Sequence, residues 1–283
     1  MSRMSLIEFV DFSFKYLGAE TLALRKINLK IEQGEFLVLT GPSGCGKTTF
    51  CRAINGLVPQ FHRGYIAGNV FVDGKDTRDH SVAELAPTAG LVFQQPENQL
   101  VTLNVEREIA FGPENLGVDK TEVRRRVEEL IDMLDLDHLR EKHPHEMSGG
   151  EQQRVAIAAT LALKPKILVA DEPTSNLDPK SAETILEIIS DLNKRDLTVV
   201  LVEHRLDLVS KDASRVVLMD KGSIVADGAP RDVLTLDLCQ DIGVGIPKAT
   251  NLYKRLKERG IELSSVPLTG AELAKLVQEV KKR

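Results

Sequence analysis

Four nearly continuous apolar runs constrain the fold of this chain more than any other feature of the sequence. They occupy residues 35–40, 90–93, 167–170 and 197–202. Runs of this kind suit parallel strands covered on both faces, because a strand with one wet face alternates apolar and polar residues. Segments with helical periodicity lie between them. Strands that alternate with helices predict an α/β sheet with right-handed crossovers.

Each run ends in a polar or glycine-rich segment. The residues that follow the four runs are, in chain order, Gly41, Gln94, Asp171 with Glu172, and Glu203 with His204. In open α/β sheets the carboxyl ends of the strands share one edge, and ligands bind at that edge. We therefore expect a single site built from four strand ends.

The loop after the first run matches the phosphate-binding pattern G-x-x-x-x-G-K-[ST]. Its residues are Gly41, Pro42, Ser43, Gly44, Cys45, Gly46, Lys47 and Thr48, and Thr49 follows. Glycines let backbone N–H groups turn toward phosphate oxygens, and the helix that begins near Lys47 adds its positive dipole end. We expect Lys47 to reach the β- and γ-phosphates of ATP and Thr48 to hold Mg²⁺. A glycine-rich turn without a ligand is disfavoured by the strand before it and the helix after it.

The carboxylate pair after the third run is predicted to carry the hydrolytic chemistry. Asp171 is placed to hold Mg²⁺ through water, and Glu172 to orient and deprotonate the attacking water. The alternative is a pair of surface charges. Cys45 has two interpretations, a small space-filling residue or a redox-sensitive thiol, and we favour the first. His143 and His145 lack further candidate ligands in the sequence, which favours ordinary loop histidines over a metal site.

Composition restricts the classes of partner and the compartment that suit this chain. The net charge of −5 and isoelectric point near 5.8 provide no electrostatic basis for binding nucleic acid. Three cysteines without paired or metal-binding spacing fit a reducing compartment. No segment reaches the roughly 18–20 apolar residues of a membrane helix, so in a membrane process another protein would have to cross the bilayer.

The segment 147–154, Met-Ser-Gly-Gly-Glu-Gln-Gln-Arg, resembles the signature of ATP-binding cassette (ABC) ATPases. The phosphate loop, Gln94, Asp171 with Glu172, the segment 175–178 and His204 complete that resemblance. Met147 and Glu151 depart from the commonest leucine and glutamine. Both changes are conservative, because Met is nearly isosteric with Leu and either Glu or Gln can complete a Ser-x-x-Glu capping box.

This resemblance implies a P-loop NTPase fold with a RecA-like core, an antiparallel β subdomain and a helical subdomain at about 98–163. It also implies a head-to-tail dimer, in which the helix start at Ser148, Gly149, Gly150 and Glu151 meets the γ-phosphate held by the other subunit. Asp178 would cross the same interface, and Tyr16 would stack on adenine. Gln94 would contact Mg²⁺ and the attacking water, and His204 would bond the γ-phosphate.

Three further segments resemble the ATPases of energy-coupling factor (ECF) transporters. They are 93–100 with 110–116, then 202–206, and a tail that starts at 241–247. The resemblance implies a cassette at 1–235, a dimerisation extension at 236–283, and a peripheral position on the cytoplasmic face of the membrane. The implied partners are a second ATPase subunit, a transmembrane coupling protein and a membrane protein that binds a vitamin or metal ion.

Three other functions are alternatives to that of an ECF transporter ATPase. The chain could serve a conventional ABC importer, or be a soluble ABC ATPase of translation or DNA repair. The soluble types usually have tandem cassettes or a long coiled coil, and the sequence has neither. A P-loop kinase does not account for the segment 148–151.

Overall fold

The computed structural model describes residues 5–281 and contains two sheets. In chain order the strands are β1 Ser5–Tyr16, β2 Leu24–Glu32, β3 Phe36–Thr40, β4 Gly64–Val72, β5 Lys75–Asp76, β6 Ala89–Val92, β7 Ile167–Asp171, β8 Thr198–Val202, β9 Arg215–Asp220 and β10 Ser223–Gly228. The helices are α1 Lys47–Ile54, α2 Leu57–Gln60, α3 Val82–Leu85, α4 Val105–Asn115, α5 Lys120–Met133, α6 Gly149–Leu161, α7 Pro179–Lys194, α8 Leu206–Val209, α9 Pro230–Val233, α10 Asp237–Asp241, α11 Lys248–Glu258 and α12 Gly270–Lys281.

The four apolar runs form adjacent strands of the six-stranded sheet, whose order is β10-β9-β3-β8-β7-β6. Strands β9, β3, β8, β7 and β6 are parallel, and β10 pairs antiparallel with β9. Every residue of β3, β7 and β8 is buried. This arrangement confirms the predicted parallel sheet, whose continuous apolar strands need helices or another sheet on both faces.

The second sheet is antiparallel, with the order β2-β1-β4-β5. The pairing of β1 with β2 shifts register between Phe9 and Phe12, where Asp11 has a positive φ of 45°. This β-bulge explains why the apolar alternation slips by one residue there. The Phe9 ring stacks on Phe50 of α1 at 4.4 Å, so the sheet packs over the helix that follows the phosphate loop.

Helices α4, α5 and α6 form a helical arm between β6 and β7. The amphipathic face of α5 buries Val123, Val127, Leu130 and Ile131, which join the same apolar core as the six-stranded sheet. Within this arm, helix α6 makes the connection to the sheet. It packs against α4 and α5 on one side and against α7 and β6 on the other.

The C-terminal helices pack on the cassette. Cys239, Val244 and Leu268 are buried in the core that contains β7 and β8. The Thr-x-x-Glu spacing at 269–272 forms a capping box only in part, because Thr269 Oγ1 accepts from Glu272 N while the Glu272 carboxylate bonds Arg231 and Leu268 N instead. Arg231 of α9 donates two charge-assisted bonds to the Glu272 carboxylate, whereas a complete capping box would offer that carboxylate only one backbone N–H.

Within residues 5–281, none of the helices combines the length and the apolar character that crossing a membrane requires.

Candidate active site

The phosphate loop lies between the end of β3 and the start of α1, and two of its glycines are sterically required. Gly41 has φ 154°, and a Cβ there would lie 2.2 Å from the carbonyl oxygen of Met219. Gly46 has φ 113°, and its Cβ would lie 2.4 Å from the carbonyl oxygen of Ala23. Any larger residue at either position would force the loop away from the neighbouring backbone.

Lys47 is buried at the first turn of α1 and its ammonium group points back into the loop. Nζ donates to the carbonyl oxygens of Gly41 at 2.9 Å and Pro42 at 3.0 Å. The same Nζ lies 3.7 Å from Oε1 of Glu172. A positive charge is therefore held between the phosphate loop and the carboxylate at the end of β7.

Glu172 bonds two of the other residues predicted from strand ends. Its Oε2 accepts from Gln94 Nε2 at 3.0 Å, and its Oε1 accepts from His204 Nε2 at 3.0 Å. The bond from His204 is the main cause that lowers the pKa of Glu172, and Lys47 acts in the same direction against the effect of burial. These contacts therefore favour the ionised form of the Glu172 carboxyl group.

Asp171 has a different environment from its neighbour. The carboxyl group is buried, and burial raises its pKa, which Thr48 partly opposes. Among the described residues, Asp171 Oδ1 and the hydroxyl of Thr40 are buried without a hydrogen-bond partner. A buried, unsatisfied carboxylate oxygen on Asp171, beside the hydroxyl of Thr48, is the type of oxygen donor set that Mg²⁺ prefers.

Tyr16 ends β1 beside the phosphate-loop helix. Its hydroxyl lies 3.1 Å from Thr49 Oγ1, and Arg52 donates to it at 3.5 Å. Its ring meets Phe14 edge-on at 4.8 Å between centroids. The contacts with Thr49 and Arg52 hold Tyr16 against α1, the helix that also carries Lys47.

The signature residues lie at the start of α6 and form the predicted capping box. Ser148 Oγ accepts from Glu151 N, and Glu151 Oε2 accepts from Ser148 N at 2.7 Å. Ser148 Oγ also donates to Glu151 Oε2 at 2.8 Å, and this bond, with the one from Ser148 N, lowers the pKa of Glu151. Ser148 and Gly149 are exposed, so the N-terminal end of the helix dipole faces outward.

A second helix start lies directly beside the first. Asp178 caps α7 through bonds from the backbone N–H groups of Lys180 and Ser181, and Pro179 occupies the first helical position. A Cβ at Gly150 would lie 3.0 Å from Ser181 Oγ, so the two helix starts are in close contact. Within the described residues, no hydrogen bond or ion pair joins residues 148–151 to the phosphate loop or to Glu172.

Two residues of the site carried no predicted role, although the sequence places both next to His204. Glu203 is 3% exposed and accepts from the backbone N–H groups of His204 and Arg205. Arg205 donates through Nη2 to the carbonyl oxygen of Leu177 at 2.9 Å. Their position directly after a buried strand was the available signal, but their burial could not be derived from it.

The remaining candidates have ordinary environments. Burial raises the pKa of the Cys45 thiol, which favours the space-filling interpretation over a reactive thiolate. The rings of His143 and His145 stack at 4.9 Å, and residues 5–281 contain no group of three or more His, Cys, Asp or Glu side chains placed to hold a metal.

Comparison with known proteins gives one family match, two similar sequences and two similar solved structures. The family model described as ABC transporter matches residues 24–175. A Pyrococcus abyssi protein with the provisional name ABC transporter ATP-binding protein is 44% identical over 280 residues, covering 98% of this chain and 100% of its own. The energy-coupling factor transporter ATP-binding protein EcfA1 of Clostridium perfringens is 37% identical over 284 residues, covering 98% and 99%.

Two solved structures share the fold. The structure of CbiO1 from Clostridium perfringens, described as part of the ABC transporter complex CbiONQ, aligns with a TM-score of 0.73 at 29% identity, covering 88% of this chain and 99% of that one. A dimeric ATP-binding cassette in a post-hydrolysis state, bound to ADP and Pi, aligns with a TM-score of 0.69 at 31% identity, covering 80% and 99%.

Proposed function

Because the chain belongs to the ABC transporter family, as an ATP-binding and ATP-hydrolysing subunit, we propose that it powers an importer of the energy-coupling factor type. In this proposal, ATP hydrolysis drives a transmembrane coupling protein and a membrane protein that binds a vitamin or metal ion. The subunit itself would be peripheral, on the cytoplasmic face of the membrane.

The observation that carries the proposal is similarity over the full length. The match to EcfA1 covers 98% of this chain, so it includes the C-terminal helices as well as the cassette. A cassette shared with all ABC ATPases would account for similarity up to β10 alone. The CbiO1 structure, described as part of the transporter complex CbiONQ, is a second relative that supports the proposal, although its 88% coverage is close to the 86% of another ABC transporter cassette.

We assign nucleotide binding to the phosphate loop. Backbone groups of residues 41–49 would surround the phosphates, with Lys47 on the β- and γ-phosphates and Tyr16 against the adenine. Thr48, Gln94 and Asp171 would hold Mg²⁺, and the buried, unpartnered Asp171 oxygen supports this assignment. Bound Mg²⁺ supplies charge neutralisation to the phosphates.

We assign the hydrolytic step to Glu172 and its partners. The ionised Glu172 carboxylate takes a proton from the water that attacks the γ-phosphate, and Gln94 orients that water. His204 holds the carboxylate through Oε1 and bonds the γ-phosphate as negative charge develops there. The support for these roles is the pair of 3.0 Å bonds that converge on Glu172.

The second half of each site would come from another subunit. The exposed start of α6, at residues 148–151, would face the γ-phosphate held by the partner, and Asp178 would lie in the same interface. An outward-facing helix N-terminus favours an anion. The dimeric, ADP-bound relative supports an assembly of this kind.

We also propose that residues 236–283 contribute to subunit pairing. Truncation is a poor test of this role, because Cys239, Val244 and Leu268 belong to the core of the cassette. Leu252 is 46% exposed on α11 and offers a point substitution instead. Leu252→Glu should weaken dimers in sedimentation experiments, while Val225→Glu, at an exposed apolar position of β10, should not.

The transport function is tested by co-purification. The tagged chain would be expressed with the membrane proteins encoded beside it, extracted in detergent, and assayed for uptake after reconstitution in vesicles. We expect recovery with a coupling protein and ATP-dependent uptake that Glu172→Gln abolishes. Recovery with a conventional permease pair and binding protein, or with no membrane protein, would contradict the proposal.

A further inference from the structure

Glu203 is a buried carboxylate that the roles assigned above do not use. It follows β8 directly, and successive side chains of an extended strand point to opposite sides. His204 therefore faces the site, with 46% of its side chain exposed, while Glu203 turns inward and is 3% exposed. A carboxylate so buried requires hydrogen-bond partners for both oxygens.

Each oxygen of Glu203 bonds a different part of the site. Oε1 accepts from the backbone N–H groups of His204 at 2.8 Å and Arg205 at 2.9 Å. Oε2 accepts from the hydroxyl of Thr174 at 2.6 Å, and Thr174 is fully buried two residues beyond Glu172. One side chain therefore links the segment that carries His204 to the segment that carries Glu172.

Backbone contacts reinforce the same connection. Glu172 N donates to the carbonyl oxygen of Val202 at 3.1 Å, and Arg205 Nη2 donates to the carbonyl oxygen of Leu177. Glu172 itself adopts a positive φ of 48°, which non-glycine residues rarely adopt without support from their surroundings. The Glu203 bonds supply such support on both sides of the 3.0 Å bond between His204 and Glu172.

We propose that Glu203 is a positioning residue for ATP hydrolysis, which sets the distance between His204 and Glu172 by holding both of their segments. The proposal rests on the roles proposed above for these two residues. Glu203 itself touches neither nucleotide nor water in this assignment, and it acts through the orientation of the His204 imidazole.

The test compares hydrolysis and binding in the full-length chain. Glu203→Ala should lower kcat about tenfold, because two amides and a hydroxyl lose a shared acceptor, while the Kd for ATP changes no more than about twofold. Glu203→Gln should retain at least about one third of wild-type kcat, since its carbonyl oxygen accepts from both amides and its amide donates to Thr174. Unchanged kcat in Glu203→Ala, or failure of glutamine to rescue it, would overturn the proposal.

Two further variants keep the test valid if Glu203→Ala folds poorly. Thr174→Val removes the hydroxyl at nearly constant volume and should lower kcat about threefold, whereas Thr174→Ser should not. Equal kcat in these two variants would contradict the proposal. Glu35→Ala is the matched control, because Glu35 is also a buried carboxylate, bonded to Glu32 N and Arg215 at the opposite end of β3. It should lower the melting temperature without affecting kcat.

The His204→Ala variant separates the proposed role of His204 from the proposed positioning role of Glu203. If that variant hydrolyses ATP at the wild-type rate, the proposed role of His204 fails, independently of Glu203. If it loses activity, adding Glu203→Ala should lower kcat no more than about twofold further, because the two residues act on one step. A full additional tenfold loss would show that Glu203 acts by another route.

Discussion

The cluster around Glu172 and the cluster around Ser148 are built in opposite ways. Glu172 bonds Gln94 and His204, which are 78 and 32 residues away in the chain, and the cluster is partly buried. Ser148 bonds Glu151, and Asp178 bonds Ser181, both across three residues and on the exposed surface. The first cluster therefore depends on the tertiary fold, whereas the second is locally organised and available to another chain.

The largest expected effect comes from removing the charge at the centre of the first cluster. Lys47→Ala should weaken ATP binding at least about 100-fold, because the buried cation proposed to bond the phosphates is lost. Binding of a fluorescent ATP analogue measures this directly. Lys166→Ala, which removes an exposed lysine paired with Asp73, should bind normally. Retention of tight binding by Lys47→Ala would contradict the assignment of the loop.

The next variant removes the proposed base and preserves its shape. Glu172→Gln should lower hydrolysis at least about 100-fold, the usual contribution of a general base, while ATP binding persists. ATP should then accumulate in a stable dimer, which size-exclusion chromatography with and without ATP detects. Glu203→Gln makes the same chemical change on the neighbouring strand end and should retain at least about one third of wild-type kcat. Normal hydrolysis in Glu172→Gln would exclude it as the base.

Ser148→Arg tests the locally built cluster. A bulky cation at the exposed helix start should stop turnover by blocking closure of the dimer, while monomers bind nucleotide with unchanged Kd. Ser81→Arg is a matched control, because Ser81 and Glu84 form the same reciprocal capping box at α3. It should cost α3 its cap and leave hydrolysis intact. Equal turnover losses in the two variants would indicate helix destabilisation and not an interface.

The smallest expected effect separates capping from charge at the same helix. Glu151→Gln should change the free energy of unfolding by less than about 0.5 kcal/mol, since glutamine can also complete the box, whereas Glu151→Ala should cost about 1 kcal/mol. Because the folded pKa of Glu151 is lowered, its ionised form stabilises the fold above the unfolded pKa, and this contribution is lost as pH falls through the folded pKa. Urea unfolding at pH 7 and near pH 3 measures both effects. A cost for Glu151→Gln equal to that of Glu151→Ala would assign the stabilisation to charge.

Much of the fold could be predicted because its signals are local. The parallel strands, the phosphate loop and the Ser148 cap each follow from residues within a few positions of one another. Other features could not be predicted in this way. The order of the strands, the bulge at Asp11 and the pairing of Glu272 with Arg231 depend on segments that are distant in the chain.

The same division runs through the candidate site. By itself, the sequence determined which chemical groups follow the strands and which helix starts are capped, because strand period and capping are set by immediate neighbours. The Ser-x-x-Glu spacing alone does not distinguish Ser148 from Ser81, because both residues share it. The sequence also assigned no role to Glu203. The sequence predicted that these strand ends share one site, but only the tertiary structure decided that Glu172 bonds Gln94 and His204 directly and that Glu203 is buried between their segments. Those contacts close long loops, and their geometry comes from packing of the whole sheet rather than from spacing along the chain.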